Sequence, residues 1–327
     1  MQEIEKTLRS RCAELLESGA CDRVLAWEEG EFFYDKTPAV FTAPEKAEKL
    51  CYDSFCGANL SKYLIEKAAE GKTCVLLKPC DTYSFNQLLT EHRIDRDKIY
   101  VIGVGCDGMT DIEKVRALGI KGITGVTENG AELTVHTVHG DKTCKKADCL
   151  LEKCLSCQGK KHFAYDELIP AQDGEEEAPA GRFDMVEKLQ SMSPKERFDF
   201  WQNELSKCIR CNACRNACPA CTCRKCIFDN PASGVAAKAN ADTFEEKLFH
   251  IIRAFHVAGR CTDCGECSRV CPQNIPLHLL NRMFIKEINE FYGDYQAGLE
   301  PGQRGPLISF DKEDADPTAV SDKGDKA

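Results

Sequence analysis

Apolar residues recur every three or four positions near the start of the sequence, which predicts an amphipathic helix. These positions are Ile4, Leu8, Cys12 and Leu15. Gly19 follows them and predicts the end of this helix. An apolar, β-type run at 24–27 turns at Glu29-Gly30 and returns through residues 32–34, and a second helix is predicted over 60–69. The chain therefore begins as a mixture of helix and strand.

Two further apolar runs, CVLLK at 74–78 and YVIGVG at 100–105, are rich in β-branched residues. They flank a polar, helix-compatible segment from about residue 82 to residue 92. This succession predicts a βαβ unit, in which a crossover helix joins two parallel strands. We therefore predict an α/β N-terminal domain with a partly parallel sheet over residues 1–170.

Each of these two strands is followed at once by a cysteine. Cys80 lies in KPCD after the first strand, and Cys106 lies in GVGCDG after the second. In open parallel sheets, ligands bind in the crevice beyond the carboxyl ends of the strands. We expect both thiols to lie close together at that edge.

The hydrophobic pattern changes after the N-terminal domain. Residues 171–181 combine Pro, Gly and a run of Glu, which predicts a solvated acidic linker. Residues 182–293 carry the apolar stripes of helices and predict a mainly α-helical, ferredoxin-like domain that holds two clusters. The polar tail at 294–327 is expected to be disordered or to form an extended arm on a partner.

Capping signals place the helices of the second domain. Ser193-Pro194 occupies the N-cap and N1 positions of one helix. Thr243 and Glu246 can form a capping box for the next helix, which Gly259 ends. A third helix is predicted from Pro276 to Gly293. These helices flank two cysteine-rich runs.

Both runs contain the spacing CxxCxxCxxxCP, which is typical of proteins with two [4Fe-4S] clusters. In that pattern the fourth cysteine of each run binds the cluster of the other run. The first predicted ligand set is Cys208, Cys211, Cys214 and Cys271. The second predicted set is Cys261, Cys264, Cys267 and Cys218. A pair of zinc ribbons is the alternative, and it leaves the third and fourth cysteines of each run unexplained.

The CxxC pair in CLSC suggests a third cluster together with the two cysteines at the sheet edge. This hypothetical ligand set is Cys80, Cys106, Cys154 and Cys157. The alternative is that Cys80 and Cys106 are small buried hydrophobes and that the CxxC pair is a dithiol or half of a zinc site. Cys221, Cys223 and Cys226 lie outside the two-cluster count. They are candidates for additional ligands, for a fourth site or for reduced thiols beside the clusters.

Charge and composition narrow the function class. The chain of 327 residues has 43 basic against 53 acidic residues, so it lacks the positive charge that binding to nucleic acid requires. No apolar run of 18 residues and no signal-peptide pattern occurs, which predicts a cytoplasmic protein that does not enter membranes by itself. The 22 cysteines are then better explained as reduced, metal-binding thiols than as a disulfide framework.

A succession of motifs resembles the beta-subunit family of coenzyme F420-reducing hydrogenases and F420-linked formate dehydrogenases. The motifs are LLESGACDRVLAWEEG, TPAVFTAPEKAEKL, FCGANLSKYL, KPCD, VIGVGCDGM, CxxC and AYDELI. The resemblance covers residues of roughly 10–285 and is strongest to the bacterial branch associated with heterodisulfide-reductase-like complexes. The second half resembles the α-helical ferredoxin module of heterodisulfide-reductase and fumarate-reductase iron-sulfur subunits.

This resemblance implies a [4Fe-4S] cluster in the N-terminal domain, bound by cysteines of the matching motifs. It also implies FAD in those members that reduce F420, although no GxGxxG occurs in this sequence. The implied partners are a formate dehydrogenase or hydrogenase catalytic subunit on one side and a flavin-containing, heterodisulfide-reductase-like subunit on the other.

The preferred interpretation is an iron-sulfur electron-transfer subunit of a cytoplasmic oxidoreductase complex in an anaerobe. Clusters provide no acid, base or nucleophile, and no GxSxG or HExxH occurs, so no catalytic residue is predicted. The first alternative is a flavin-containing catalytic beta subunit that exchanges hydride with F420 or NAD(P). The second alternative is an N-terminal docking scaffold without a cluster.

Overall fold

The computed structural model describes residues 2–171, 174, 180–230, 232 and 243–310. The strands are β1 (Arg23–Glu29), β2 (Lys36–Phe41), β3 (Leu50–Cys51), β4 (Thr73–Leu77), β5 (Ile99–Val104), β6 (Ile123–Asn129), β7 (Glu132–Thr137), β8 (Lys142–Lys145) and β9 (Glu167–Ile169). The helices are α1 (Gln2–Glu17), α2 (Leu64–Lys67), α3 (Pro79–Thr90), α4 (Ile112–Ala117), α5 (Glu152–Leu155), α6 (Asp184–Ser191), α7 (Pro194–Leu205), α8 (Ala213–Asn216), α9 (Thr243–Val257), α10 (Glu266–Arg269) and α11 (Leu277–Tyr292).

The N-terminal half is built on a mixed sheet with the strand order β2-β1-β4-β5-β9. Strands β1, β4, β5 and β9 are parallel to one another, whereas β2 and β3 run antiparallel to β1. Every residue of β4 is buried, as expected for a strand covered on both faces. The predicted βαβ unit is therefore present, with α3 between β4 and β5.

Two local predictions in this half are wrong. The strand that returns from β1 is β2, and residues 32–34 form the turn before it. Aromatic rings hold this turn, because Phe32 stacks on Tyr34 and Phe33 packs edge-on against Phe55. The helix predicted over 60–69 is only α2, preceded by a single 3-10 turn.

A small antiparallel sheet of β6, β7 and β8 follows α4 and was not predicted. Its core consists of Leu133 and Val135 on β7, together with Val115 of α4 and Cys149. Most other residues of these strands are exposed or half-buried, so their apolar pattern is weak. This sheet leads the chain directly into the CxxC pair.

Three helices of the second half, α7, α9 and α11, correspond to helices that the sequence predicts, whereas α6, α8 and α10 were not predicted. Ser193 and Glu196 form a capping box at the start of α7. Gly259 has a φ of 74° after α9, and Gly293 has a φ of 87° after α11. The proposed capping-box side chains of Thr243 and Glu246 lie outside the described residues.

The described part of the tail crosses back to the N-terminal half. The Asn86 side-chain amide donates to the Leu299 carbonyl at 3.3 Å, and the Gly302 amide donates to the Thr90 hydroxyl at 2.9 Å. Both side chains belong to α3, the helix that begins beside Cys80. Residues 294–302 therefore lie against this helix, while residues 311–327 and most of the predicted linker lie outside the described residues.

Candidate metal centres

The four cysteines of the hypothetical third set line one cavity of about 170 Å³. Cys80 lies in the first turn of α3, directly after β4, and Cys106 follows β5. Cys154 lies in α5, and Cys157 follows that helix. The carboxyl edge of the parallel sheet thus brings together two cysteines from strand ends and two from the CxxC pair, as the sequence predicts.

The surroundings of these thiols fit a metal cluster. Burial raises the pKa of Cys106 to about 12 and also raises the pKa values of Cys80 and Cys154. A bound metal ion deprotonates a coordinating thiol outright, so it removes this cost. The Met109 amide already donates to Cys154 Sγ at 3.3 Å, a contact that favours the thiolate.

A buried ion pair lies beside the cavity in the KPCD motif. Lys78 is only 1% exposed, and its Nζ lies 2.8 Å from Asp81 Oδ2 and 4.4 Å from the centre of the Trp27 ring. Lys78 also donates to the Ala58 carbonyl at 2.8 Å. Only the cysteine of this motif was a predicted ligand. Charged residues at the end of an apolar strand were the signal for the pair.

The second ferredoxin run forms part of the same cavity, because Asp263 and Cys264 also line it. Lys153 of α5 reaches across and places its Nζ 2.6 Å from Glu266 Oε1 at the start of α10. Burial alone lowers the pKa of Lys153, but the Glu266 carboxylate and the Cys80 thiol reverse this effect, and the net shift is upward. The third cysteine set and the second run are therefore direct neighbours.

The two ferredoxin runs adopt the same backbone turn. In each run, the second residue after the first cysteine has a positive φ, 54° at Arg210 and 59° at Asp263. The fourth residue does so too, with 62° at Asn212 and 67° at Gly265. A short helix follows each turn, α8 in the first run and α10 in the second. The sequence repeat is thus a structural repeat.

The crossed pairs of the two runs lie close enough to interact electrostatically. Burial raises the pKa of Cys214, and the Cys271 and Cys211 thiols raise it further. A hydrogen bond with Cys221 and burial raise the pKa of Cys218, and Cys264 adds to this shift. Cys271 therefore lies near the first run and Cys218 near the second, as crossed ligation requires.

Two side chains of α9 contact these cysteines and were not singled out from the sequence. Arg253 Nη1 lies 3.3 Å from Cys214 Sγ, and His250 Nε2 lies 3.2 Å from Cys208 Sγ. Burial and the nearby cations Arg253 and Arg210 lower the pKa of His250 to about 3, so the imidazole is neutral. A charged residue within the apolar stripe of α9 was the signal for Arg253.

The three surplus cysteines have different surroundings. Cys221 lies beside Cys218, and its Sγ is 3.7 Å from Arg253 Nη2, whereas Cys226 packs in the helical core and Cys223 is exposed. Within the described residues, no three His, Cys, Asp or Glu side chains are grouped tightly enough for a single metal ion. A cube needs a wider arrangement, because each thiolate binds a different iron.

The remaining cysteines lie away from these centres. Cys12, Cys21 and Cys74 are buried in the core of the N-terminal half, and the first two contact Cys74. The Sγ atoms of Cys144 and Cys149 are 3.7 Å apart beside the small sheet. Cys51 and Cys56 are also buried and adjacent.

A larger cavity of about 600 Å³ lies between the two halves and offers space for a flavin. Thr110 lines it and is 4% exposed, and among the described residues its hydroxyl oxygen has no hydrogen-bond partner. Lys153 lines both this cavity and the smaller one beside the cysteines. A group bound here would therefore lie next to the third cysteine set.

The charges of the larger cavity do not suit the diphosphate of FAD. Lys114 pairs with Glu152 at 3.3 Å, and both Lys153 and Arg269 pair with Glu266. Each of these three cations thus already pairs with a carboxylate, and Lys153 and Arg269 share that of Glu266. The cavity provides volume and one unpaired hydroxyl, but its charges favour a less anionic group than a dinucleotide.

A family model for a 4Fe-4S dicluster domain matches residues 204–275. This range contains both cysteine-rich runs and the helix α9 between them. The C-terminal half thus contains a 4Fe-4S dicluster domain. No helix among the described residues combines the length and the apolar character needed to cross a membrane.

The chain is similar over most of its length to beta subunits of formate dehydrogenases. It is 24% identical to the F420-dependent formate dehydrogenase subunit beta of Methanocaldococcus jannaschii, over 91% of this chain and 92% of that protein. It is also 24% identical to the F420-dependent formate dehydrogenase 1 subunit beta of Methanococcus maripaludis, over 65% of this chain and 71% of that protein.

A solved structure, the F420-reducing [NiFe] hydrogenase complex of Methanosarcina barkeri, matches 48% of this chain and 62% of its own, with 17% identity and a TM-score of 0.38. The relatives that match along the chain, together with the dicluster domain, agree with the resemblance seen in the motifs. The chain is thus similar along most of its length to beta subunits of F420-dependent formate dehydrogenases, and it contains a 4Fe-4S dicluster domain.

Proposed function

We propose that this chain is an electron-relay subunit of a cytoplasmic oxidoreductase complex and holds three [4Fe-4S] clusters. The first cluster is held by Cys208, Cys211, Cys214 and Cys271. The second cluster is held by Cys261, Cys264, Cys267 and Cys218. The third cluster is held by Cys80, Cys106, Cys154 and Cys157. A [4Fe-4S] cluster supplies one-electron chemistry, so three neighbouring clusters provide a path across the chain.

One observation carries this proposal. Cys264 of the second run lines the same cavity as the four cysteines of the third set. The third cysteine set therefore lies directly beside the second run. Two unrelated metal sites would have no reason to share a cavity, whereas a relay requires short steps between its centres.

The chain's own side chains tune and shield these centres. Arg253 donates to the Cys214 sulfur and to its carbonyl, at 3.3 and 3.2 Å. Hydrogen bonds and positive charge near a cluster stabilise its more reduced, more negative state. Arg253 is also only 6% exposed, so water screens its charge weakly. We infer that Arg253 raises the potential of the ferredoxin-like centres.

The partners in this proposal are the other subunits of a dehydrogenase or hydrogenase complex. The relatives named above are subunits of formate dehydrogenases. A relay needs a separate subunit for two-electron chemistry on each side. By the motif resemblance, one is a formate dehydrogenase or hydrogenase catalytic subunit, and the other is a heterodisulfide-reductase-like flavoprotein.

A second candidate function is a flavin-containing catalytic beta subunit that exchanges hydride with F420 or NAD(P). The large cavity favours it, as does the Thr110 hydroxyl, which has no hydrogen-bond partner among the described residues. The ion-paired cations of that cavity oppose it. Acid treatment of the anaerobically purified protein distinguishes the two functions. A yellow, fluorescent flavin in the supernatant at one per chain supports the enzyme, and a flavin-free supernatant supports the relay.

Iron analysis tests the number of clusters. The relay predicts about twelve irons per chain, and a scaffold without the third cluster predicts about eight. Cys106→Ser should lower the count from about twelve to about eight and remove one EPR signal, whereas the matched variant Cys144→Ser should leave both unchanged. An unchanged iron count in Cys106→Ser contradicts the third cluster.

A further inference from the structure

The surface around Cys211 differs in charge from the rest of the chain. The whole chain has a net charge of −10, with 53 acidic residues. From Ile209 to Phe228, however, the sequence contains four basic residues and no acidic one. These basic residues are Arg210, Arg215, Arg224 and Lys225. Cys211 lies in this segment and is the only member of the three predicted four-cysteine sets with an exposed side chain.

The structure joins the two ends of this segment into one surface. The guanidinium of Arg210 lies 4.2 Å from the centre of the Phe249 ring and 5.9 Å from that of Phe228. Arg215 pairs with Asp229 at 2.6 Å. Together with a hydrogen bond between Arg215 and Cys226, these contacts place residues 226–229 beside the turn that carries Cys211, and Arg224 and Lys225 directly precede them in the chain.

The same contacts direct two isoleucines towards solvent. Ile209 precedes the buried Arg210 and is 61% exposed, and Ile227 precedes the buried Phe228 and is 42% exposed. Exposed apolar side chains close to a functional group are typical of interaction sites. Arg224 and Lys225 are exposed next to them, and neither forms an ion pair within the described part of the chain.

We propose that this surface, formed by Ile209, Cys211, Arg224, Lys225 and Ile227, docks an acidic redox protein. The apolar pair provides the buried centre of the contact, and the two unpaired cations at its rim attract carboxylates of the partner. The proposal rests on the proposed function, because Cys211 is there a ligand of the first cluster. One electron leaves the reduced protein and enters the oxidised one, with no other reactant.

Charge decides the class of partner. The carboxylate of Asp229 lies beside the surface, but it is already paired with Arg215. Among the residues that the structure describes, the unpaired charges of this surface, Arg224 and Lys225, are therefore positive. A partner with a basic docking face would be repelled, whereas an acidic one would be steered to the exposed ligand.

Binding can be measured on the intact, cluster-loaded protein with an acidic 2[4Fe-4S] ferredoxin as the probe. We expect binding by calorimetry at about 0.05 M salt that weakens steeply towards about 0.5 M, because salt screens exposed charges. Carbodiimide, which joins a lysine directly to a contacting carboxylate, should cross-link the probe to Lys225. Basic cytochrome c, a redox protein of opposite charge, should not bind.

Arg224→Glu/Lys225→Glu should weaken ferredoxin binding at least about tenfold. The matched control is Lys142→Glu/Lys145→Glu, which reverses two exposed charges on β8 and should leave binding unchanged. Equal binding by the Arg224 and Lys225 variant, or binding of cytochrome c at the same affinity, overturns the proposal. The proposal is also overturned if the wild type sediments as a dimer and only this variant sediments as a monomer, because the surface would then join two copies of the chain.

The same samples separate this proposal from the proposed function. If the wild-type protein contains about twelve irons that dithionite reduces but does not bind ferredoxin, only the docking surface is contradicted. Protein that binds ferredoxin but lacks the iron contradicts the relay alone.

Discussion

Lys153 and Glu266 form a buried ion pair between the two halves of the chain, with 2.6 Å between Nζ and Oε1. Lys153 is adjacent to Cys154 of the third cysteine set, and Glu266 lies between Cys264 and Cys267 of the second run. The Glu266 side chain is only 2% exposed and also pairs with Arg269 at 2.8 Å. This pair therefore joins the third cysteine set to the second run.

Lys153→Met should destabilise the protein by about 3 kcal/mol, because it leaves a buried carboxylate with one partner fewer. Chemical denaturation followed by circular dichroism measures this loss. Lys114→Met is the matched control, since its pair with Glu152 is partly exposed and should contribute less than about 1 kcal/mol. Equal losses in both variants would show that burial of the Lys153 pair has no special effect.

Gly265→Asn should weaken the contact between the two halves, although Asn occupies the corresponding position in the first run. A Cβ atom at Gly265 would lie 2.5 Å from Lys153 Cβ, so the side chain has no space even though Asn tolerates a positive φ. We expect a lower denaturation midpoint and a weaker EPR signal from the third centre.

The reverse change, Asn212→Gly, provides the control for that variant. It keeps the left-handed backbone of the first run and removes no main-chain contact, so the denaturation midpoint should change little. A normal EPR spectrum and midpoint in Gly265→Asn would contradict the tight packing of α5 on the second run.

Cys271→Ala should damage the centre held by the first run, and Cys218→Ala the centre held by the second. The reason is the exchange of the fourth ligand between runs, in agreement with the electrostatic interactions of Cys271 with Cys214 and of Cys218 with Cys264. EPR of the reduced protein distinguishes the two centres. Cys223→Ala, at an exposed cysteine, should leave both signals intact. Loss of the local centre in either variant would refute the crossed arrangement.

His278 should make stability depend on pH. Burial and the neighbouring Arg282 lower its pKa to about 4. In the unfolded chain this histidine has an ordinary pKa of about 6.5, so it binds a proton at a higher pH than in the folded protein. The folded protein therefore loses stability as the pH decreases below about 6.5. From pH 6.5 to pH 5.5 the expected loss is about 1 kcal/mol.

Denaturation of His278→Gln at the same two pH values checks this effect, because glutamine does not titrate. The variant should lose about 1 kcal/mol less than the wild type over this interval. His139→Gln, at an exposed histidine, should behave like the wild type. Identical pH dependence in all three proteins would show that folding does not lower the pKa of His278.

The sequence predicted the elements whose signals are local. Cysteine spacing indicated the dicluster domain, and the strand ends at Cys80 and Cys106 indicated their common edge. The small sheet around Leu133 was missed because few of its residues are buried, so its alternation is weak. The role of residues 32–34 was misjudged because aromatic rings favour strands in general, whereas here they pack within a turn.

Contacts between distant parts of the chain could not be predicted from spacing. Lys153 and Glu266 are 113 positions apart, and neither belongs to a recognisable motif with the other. Arg253 resembles any charged residue on a helix until the fold places it against Cys214. Such partners can be found by searching the sequence for charged residues at positions where the pattern is otherwise apolar. Both α9 and the KPCD motif contain such residues.

Gly298 gives the tail a role in the order of assembly. A Cβ atom there would lie 1.9 Å from the Tyr83 carbonyl oxygen, so the backbone of the tail rests directly on that of α3. During synthesis, α3 emerges long before residue 298, and both ferredoxin runs emerge between them. The helix that carries Cys80 therefore completes its packing only after the cysteines of all three predicted sets have been synthesised. The packing beside the third cysteine set thus depends on a segment that follows every candidate ligand in the chain.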